Sequence, residues 1–381
     1  MADFMTPAPD PPTPLGYHRV LSSTAGIKVS PLCLGGMSLG DAWNSFMGST
    51  SKEQVFALLD AFYEAGGNFI DTANNYQDEQ SEAWIGEWMV SRGNRDNVVV
   101  ATKFSWQYKA YEGGAGPRWN NATGNHKRSL HVSVRDSLAK LQTDWIDILY
   151  LHWWDYLTSI EEVMDSLHIL VQQGKVLYLG ISDTPAWVVS AANYYAKAHG
   201  KTPFSIYQGN WNVMLRDMER DIIPMARYFG MAIAPYGAIG SGKLQSKKQI
   251  EERRRAGEGL RAVLSGPEQT EEELEMSRAL ERVGREVGVE SVAAIALAYV
   301  RAKAPRVFPI VGGRKIEHLM DNIKCLEIDL SERQVEYLES VKGFDVGFPG
   351  NFFGTDPKVN GEPSQLLGST GTFSFTKETS N

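Results

Sequence analysis

Along most of this chain, short apolar runs alternate with longer amphipathic ones. The run 17–29, YHRVLSSTAGIKV, comes first and holds two strand-like pieces around a Ser/Thr/Gly turn, which is a hairpin signal. After it the strand candidates are 32–36, 68–72, 98–103, 146–152, 177–182, 205–208, 231–235 and 307–311. The later runs are almost continuously apolar, as expected of strands buried on both faces of a parallel sheet. Between them lie helical patterns. In 52–65 the apolar residues Val55, Leu58, Leu59 and Phe62 repeat with helical period, Ser51 is placed to cap the start, and Gly66-Gly67 stops the run. The segments 81–91, 127–141, 160–173, 186–199, 218–229, 271–287 and 292–303 read the same way, and 321–326 belongs to a further helix.

Eight strand–helix units predict a (β/α)8 TIM barrel carrying an N-terminal hairpin. A doubly wound dinucleotide fold should open with G-x-G-x-x-G after its first strand, and Leu34-Gly35-Gly36-Met37 does not match. The expected organisation is a Pro-rich disordered tail over 1–16, one barrel domain over 17–341, and an irregular tail over 342–381. Two connections, after strands three and seven (104–126 and 237–270), are too long for plain turns and are expected to be functional. The first of them carries Trp106, Tyr108, Tyr111 and Trp119, enough to wall a pocket.

Bulk properties narrow the function classes. A net charge of −8 argues against nucleic acid as a partner. No run approaches the roughly 20 apolar residues of a membrane span, and the N-terminus lacks a secretory h-region. Cys33 and Cys325 form neither a metal spacing nor a disulfide framework, which suits buried thiols in a cytoplasmic, reducing compartment. With no HExxH or CxxC, no metal is expected. The Asn121-Ala122-Thr123 sequon has no meaning without export.

A barrel builds its site at the carboxyl ends of its strands. Strand two ends in Asp71, with Tyr76 in the loop that follows; strand three ends in Lys103 and strand four in His152. Alone, each has an ordinary reading as a cap, a loop phenol, a snorkelling amine or a core imidazole. Together on one rim they suit carbonyl reduction. The forming alkoxide needs a proton, and a phenol with a pKa of about 10 is a poor donor near neutrality. A lysine about 4 Å away, worth roughly 4 kcal/mol at an effective dielectric of 20, is expected to lower that pKa by up to about 3 units. Asp71 would anchor Lys103, and His152 would orient the carbonyl. No side chain donates hydride, so a nicotinamide cofactor has to supply it.

The stretch YGAIGSGKL at 236–244 nearly spells a nucleoside-triphosphate loop. Leu244 stands where the metal-binding Ser or Thr should be, which argues against phosphoryl transfer.

The pieces GGNFIDTANNY, VVVATK, DILYLHWWD, YLGISD, YQGNWN and PIVGGRKIEHLMDN follow one another in the order found in the aldo-keto reductases, which the chain resembles over about 17 to 341. Within that family it looks most like the fungal aryl-alcohol dehydrogenases and the norsolorinic acid reductase type. The resemblance implies Tyr76 as general acid, supported by Lys103 and Asp71, with His152 positioning substrate. It implies NADP(H) held by Gly36, Met37 and Asp71; by Ser182, Asp183 and Gln208 at the nicotinamide; by Tyr236, Gly237, Gly240, Gly242, Lys243 and Leu244 over the pyrophosphate; and by Gly312, Gly313, Arg314, His318 and Asn322 at the adenosine end. Either Tyr236 or Pro235 would stack on the ring. Asp183 stands where the family usually has an amide, so it accepts but cannot donate. The substrate would be an aromatic aldehyde, ketone or alcohol contacting His152, Trp106 and Trp153, with Trp43, Trp119 and Trp154 as further candidates. The same barrel also resembles the cytoplasmic β-subunits of potassium channels, which leaves a redox-sensing regulatory subunit as the alternative. Oligomeric state is not readable.

Overall fold

The computed structural model describes residues 6–113, 119–255 and 268–377. Strands β1 (Arg19–Ser22) and β2 (Ala25–Val29) pair antiparallel as the expected hairpin. The eight barrel strands are β3 (Cys33–Gly35), β4 (Phe69–Asp71), β5 (Val99–Phe104), β6 (Ile146–Leu151), β7 (Val176–Ser182), β8 (Phe204–Asn210), β9 (Ala232–Tyr236) and β10 (Ile310–Gly312). They form one parallel sheet in the order β10-β3-β4-β5-β6-β7-β8-β9. An isolated parallel bridge between Ile233 and Val307 links its two ends. The sequence pattern placed the last strand at 307–311. Its first residue makes this bridge, while the paired strand begins at Ile310.

Two apolar layers follow from the period-two geometry of the strands. Inside the barrel sit Phe69, Val99, Ala101, Ile148, Tyr150, Ile206, Ala232, Ala234 and Phe308, floored by Leu21, Ala25 and Val29 of the hairpin. The intervening residues, Ile70, Val100, Leu149, Leu151 and Tyr207 among them, pack outward against the helices. The hairpin therefore plugs the amino end of the barrel, and its carboxyl end is left for chemistry.

The helices start where their caps dictate. Ser51 and Gln54 form a reciprocal capping box on helix Lys52–Glu64, and Thr270 and Glu273 form another on helix Glu271–Val287. A third box, Ser331 with Gln334, opens helix Glu332–Val341, which the periodicity reading passed over. The 237–270 connection also contains a helix, Lys247–Arg255.

The N-terminal tail is ordered at its end. Thr13 caps the 3-10 turn Pro14–Gly16 and donates to the Ala65 carbonyl at 2.7 Å, and Leu15 is fully buried. One apolar residue with a core slot is enough to bind down a Pro-rich stretch. Beyond Val341, single turns at Gly350–Phe353, Pro357–Asn360 and Gln365–Gly368 punctuate mostly exposed chain. Among the described residues no helix is long and apolar enough to cross a membrane.

Helix Gln80–Arg92, which follows the Tyr76 loop, crosses helix Lys127–Leu141 at Gly86. A Cβ there would lie 2.2 Å from the Lys140 carbonyl oxygen and 2.8 Å from the Leu141 Cα. These are backbone atoms that cannot swing aside. Gly86→Ala is expected to destabilise the protein by about 1–3 kcal/mol or more, read as a lower urea midpoint at unchanged m-value.

Candidate active site

Strand parity builds the site. The inward positions Phe69, Ala101, Tyr150, Ile206 and Ala234 are each followed two residues later by Asp71, Lys103, His152, Gln208 and Tyr236. The register staggers these rows from strand to strand: Asp71 pairs with Ala101, Lys103 with Tyr150, and Ser182 with Gln208. One turn of the pleat above the apolar fill, the barrel lining thus becomes polar.

Lys103 and Asp71 are buried there, their side chains 0% and 4% exposed. The ammonium donates to Asp71 Oδ1 at 2.5 Å, to the Thr72 carbonyl at 2.8 Å and to the Tyr76 hydroxyl at 3.4 Å. Gln208 Nε2 donates to the other carboxylate oxygen at 2.9 Å. Burial pulls the Lys103 pKa down, but attraction and hydrogen bonds from Asp71 and Tyr76 together outweigh it, so Lys103 holds its proton above the ordinary lysine range. His152 lies edge-on to Tyr76, with ring centroids 5.9 Å apart. Burial and the nearby Lys103 charge push the imidazole well below its usual pKa, so it is neutral, and its Nδ1 is buried without a hydrogen-bond partner.

Tyr76 corrects one expectation. Burial raises its pKa, and the Lys103 charge only partly offsets that rise. The sequence argument counted the ammonium and omitted the desolvation of the phenol. The group is a fully protonated donor, not a loosened one.

Three consecutive residues after Tyr76 adopt left-handed backbone: Gln77 (φ 53°), Asp78 (φ 49°) and Glu79 (φ 77°). None is a glycine, and each costs about 1–2 kcal/mol in that well. Side-chain bonds hold the turn. Gln77 accepts from the Trp43 N–H and donates to the Met37 carbonyl, both at 2.9 Å. Asp78 accepts from Trp43 Nε1 at 2.9 Å. Glu79 accepts from Lys140 Nζ at 2.8 Å and the Tyr111 hydroxyl at 2.5 Å. Gln80 Oε1 takes the N–H groups of Asp41 and Ala42. These anchors also stitch the first loop to the second and set Trp43 edge-on to Tyr76 at 6.2 Å.

The aromatic residues divide. Trp106, about half exposed, lies edge-on to His152 at 6.2 Å and to Trp153 at 6.0 Å. Tyr108 and Tyr111 instead bond Asp136 and Glu79, away from the mouth. Trp154 is buried in the outer apolar layer, and Trp119 meets none of these rings.

On the far rim, Ser182 Oγ is buried without a hydrogen-bond partner. Tyr236 donates its hydroxyl to Asp183, 3.2 Å from each carboxylate oxygen. The glycine loop closes on itself: the N–H groups of Gly240, Gly242, Lys243 and Leu244 bond to carbonyls of Gly237, Ile239, Gly240 and Ile239. Lys243 is buried, donating to the Glu268 carbonyl at 3.2 Å with Glu273 Oε1 at 3.5 Å, and Leu244 is core. Ser38 Oγ reaches the Gly313 carbonyl at 3.3 Å. A Cβ on Gly48 would meet the Arg314 guanidinium, so the first and last loops touch. Asn322 is buried on helix Ile316–Ile323, and His318 is exposed on the same helix.

The chain matches the Aldo/keto reductase family over residues 31–342. It belongs to that family. It is 67% identical to a Saccharomyces cerevisiae protein provisionally named as an aryl-alcohol dehydrogenase, covering 98% of this chain and 100% of the relative. An aldo-keto reductase of Emericella nidulans is 60% identical over 98% of this chain and 93% of its own. An NADP(+) aryl-alcohol dehydrogenase of Phanerodontia chrysosporium is 55% identical over 94% of each.

Aldo/keto reductases are oxidoreductases that use NADP(H). The residues present fit such a group at the ends of β7 and β8, where the buried Ser182 hydroxyl has no partner and pairs in register with Gln208, whose amide bonds Asp71. At the phosphate end, the Lys243 charge lies beside Glu273, and four N–H groups of the glycine loop bond inside its own turn. Its resemblance to a triphosphate loop ends at the same residues. The sequence also concealed the strained turn after Tyr76, because Gln and Glu do not signal left-handed backbone and Asp78 alone does not announce three such residues in a row.

Removing one partner of the buried ion pair leaves the other uncompensated. Asp71→Asn, nearly isosteric, is expected to cost about 3–5 kcal/mol of stability and to drop the lysine pKa, both measurable by denaturant titration and by NMR of the Lys103 side chain.

Proposed function

We propose that this aldo/keto reductase reduces an aromatic aldehyde or ketone to its alcohol, reversibly, with NADP(H) and with Tyr76 as the proton donor. The observation that carries the reading is the Tyr76 hydroxyl 3.4 Å from an ammonium held by Asp71 and the Thr72 carbonyl, with Gln208 holding Asp71 in turn. The nicotinamide, when bound, supplies the hydride. The chain's own residues do the rest. Tyr76 stays protonated across neutral pH and gives up its proton only when a stronger base, the forming alkoxide, is beside it. Lys103 stabilises the phenolate left behind, which burial alone would penalise. Asp71 keeps Lys103 charged and fixed. His152, neutral, has one N–H to donate to the carbonyl oxygen and so directs it toward Tyr76.

Ser182, Asp183 and Gln208 would hold the nicotinamide end. Gly36 and Met37 would lie beneath the cofactor, and Tyr236 or Pro235 would meet the ring. Gly237, Gly240, Gly242, Lys243 and Leu244 would cover the pyrophosphate, and Gly312, Gly313, Arg314, His318 and Asn322 would hold the adenosine end. The arginine fork suits a 2′-phosphate.

Support for an aromatic substrate comes from Trp43, Trp106 and Trp153, which stand around Tyr76 and His152 and offer flat apolar walls. Relatives named as aryl-alcohol dehydrogenases point the same way and leave the regulatory-subunit alternative without support. Two buried unpaired cysteines suit a cytoplasmic setting.

Tyr76→Phe should reduce benzaldehyde turnover with NADPH by at least about 100-fold while NADPH affinity, read by fluorescence quenching, stays within about twofold. Near-normal turnover in that variant would sink the assignment.

A further inference from the structure

The mouth of this barrel carries one charge more than the proton relay needs. Asp183 follows β7 in left-handed backbone (φ 42°), its N–H bonded to the Gln208 carbonyl at 3.2 Å. Its carboxylate is gripped by the Tyr236 hydroxyl. Among the described residues, the ionisable groups that act on it or respond to it are Lys103 from β5, Tyr76 from the loop after β4, Tyr207 from β8 and Tyr236 from β9. The three phenols are all raised and therefore neutral, and His152 is neutral too. Lys103 already balances Asp71. One net negative charge, that of Asp183, remains at the rim where the reading above puts the nicotinamide.

That charge has chemical meaning. In carbonyl reduction the nicotinamide C–H bond breaks, its electron pair travels with the hydrogen to the carbonyl carbon, and the ring becomes cationic. The carbonyl oxygen takes the Tyr76 proton at the same time. A neutral amide at position 183 would be indifferent to the ring's new charge; a carboxylate is not.

We infer that the Asp183 carboxylate, held by Tyr236, stabilises the positive charge that appears on the nicotinamide as hydride leaves, so that the protein holds the oxidised cofactor more tightly than an amide at this position would. The inference rests on the dinucleotide reading above and adds a redox preference to it. The side chain is open to solvent in the concave mouth, yet the surrounding protein displaces enough water to push its pKa up to about 6. Above that pH it is charged. Below it the carboxyl is neutral, and the preference should fade.

The test is the ratio of dissociation constants for NADP+ and NADPH, measured by quenching of tryptophan fluorescence in the wild type and in Asp183→Asn at about pH 7.5 and about pH 5. At the higher pH the substitution should weaken NADP+ relative to NADPH by about five- to tenfold. At the lower pH the two proteins should agree. The cofactor's 2′-phosphate also titrates near 6, but it is common to both forms and cancels in the ratio. The wild-type pH series needs no substitution, so a poorly folding variant does not spare the idea. A wild-type ratio that is the same at both pH values, or an Asp183→Asn ratio equal to the wild type's at about pH 7.5, overturns the inference and leaves the dinucleotide reading standing. A wild type that binds neither form overturns both.

Discussion

One ammonium taken out of water organises the mouth of this barrel. Burying Lys103 is tolerable only because every direction its protons point is met: a carboxylate, a backbone carbonyl and a phenol. Asp71 in turn needs its second oxygen satisfied, which Gln208 does from across the barrel. Remove Lys103 or Asp71 and a full charge is stranded in a low-dielectric lining. The pair is therefore a reason for β4, β5 and β8 to keep their register as well as a device for chemistry, and the site's geometry is tied to the stability of the fold that carries it.

Much of this was written plainly in the sequence, and the reason is periodicity. Apolar residues at every second position of buried strands reveal which residues face inward, and Asp71, Lys103 and His152 continue those rows. The caps Ser51 and Thr270 sit where side-chain oxygens can meet free helix N–H groups. What stayed hidden depends on distance and burial, which no one-dimensional pattern contains. The direction of the Tyr76 shift is decided by how much water the phenol loses. Lys243 looked like a phosphate ligand because the sequence does not show that Glu273, thirty residues on, lies against it. Tyr108 and Tyr111 looked like pocket walls for the same reason: their partners, Asp136 and Glu79, come from other segments.

The charge pattern at the mouth follows from this layering. Among the described residues, the Tyr76, Tyr207 and Tyr236 phenols and the His152 imidazole around the mouth are neutral, and Lys103 is matched by Asp71, which leaves the Asp183 carboxylate without a counter-charge of its own.

The left-handed turn at Gln77–Glu79 lies in the loop after β4 and ties it to the loops after β3 and β5. Its shape survives only while its side-chain anchors on Trp43, Met37, Tyr111 and Lys140 are all in place, and inserting or deleting even one residue would throw all of them out of step. The long connection after β5 is tied to the same turn through Tyr111. Remodelling that connection over evolutionary time is therefore compatible with the turn only where Tyr111 keeps its place.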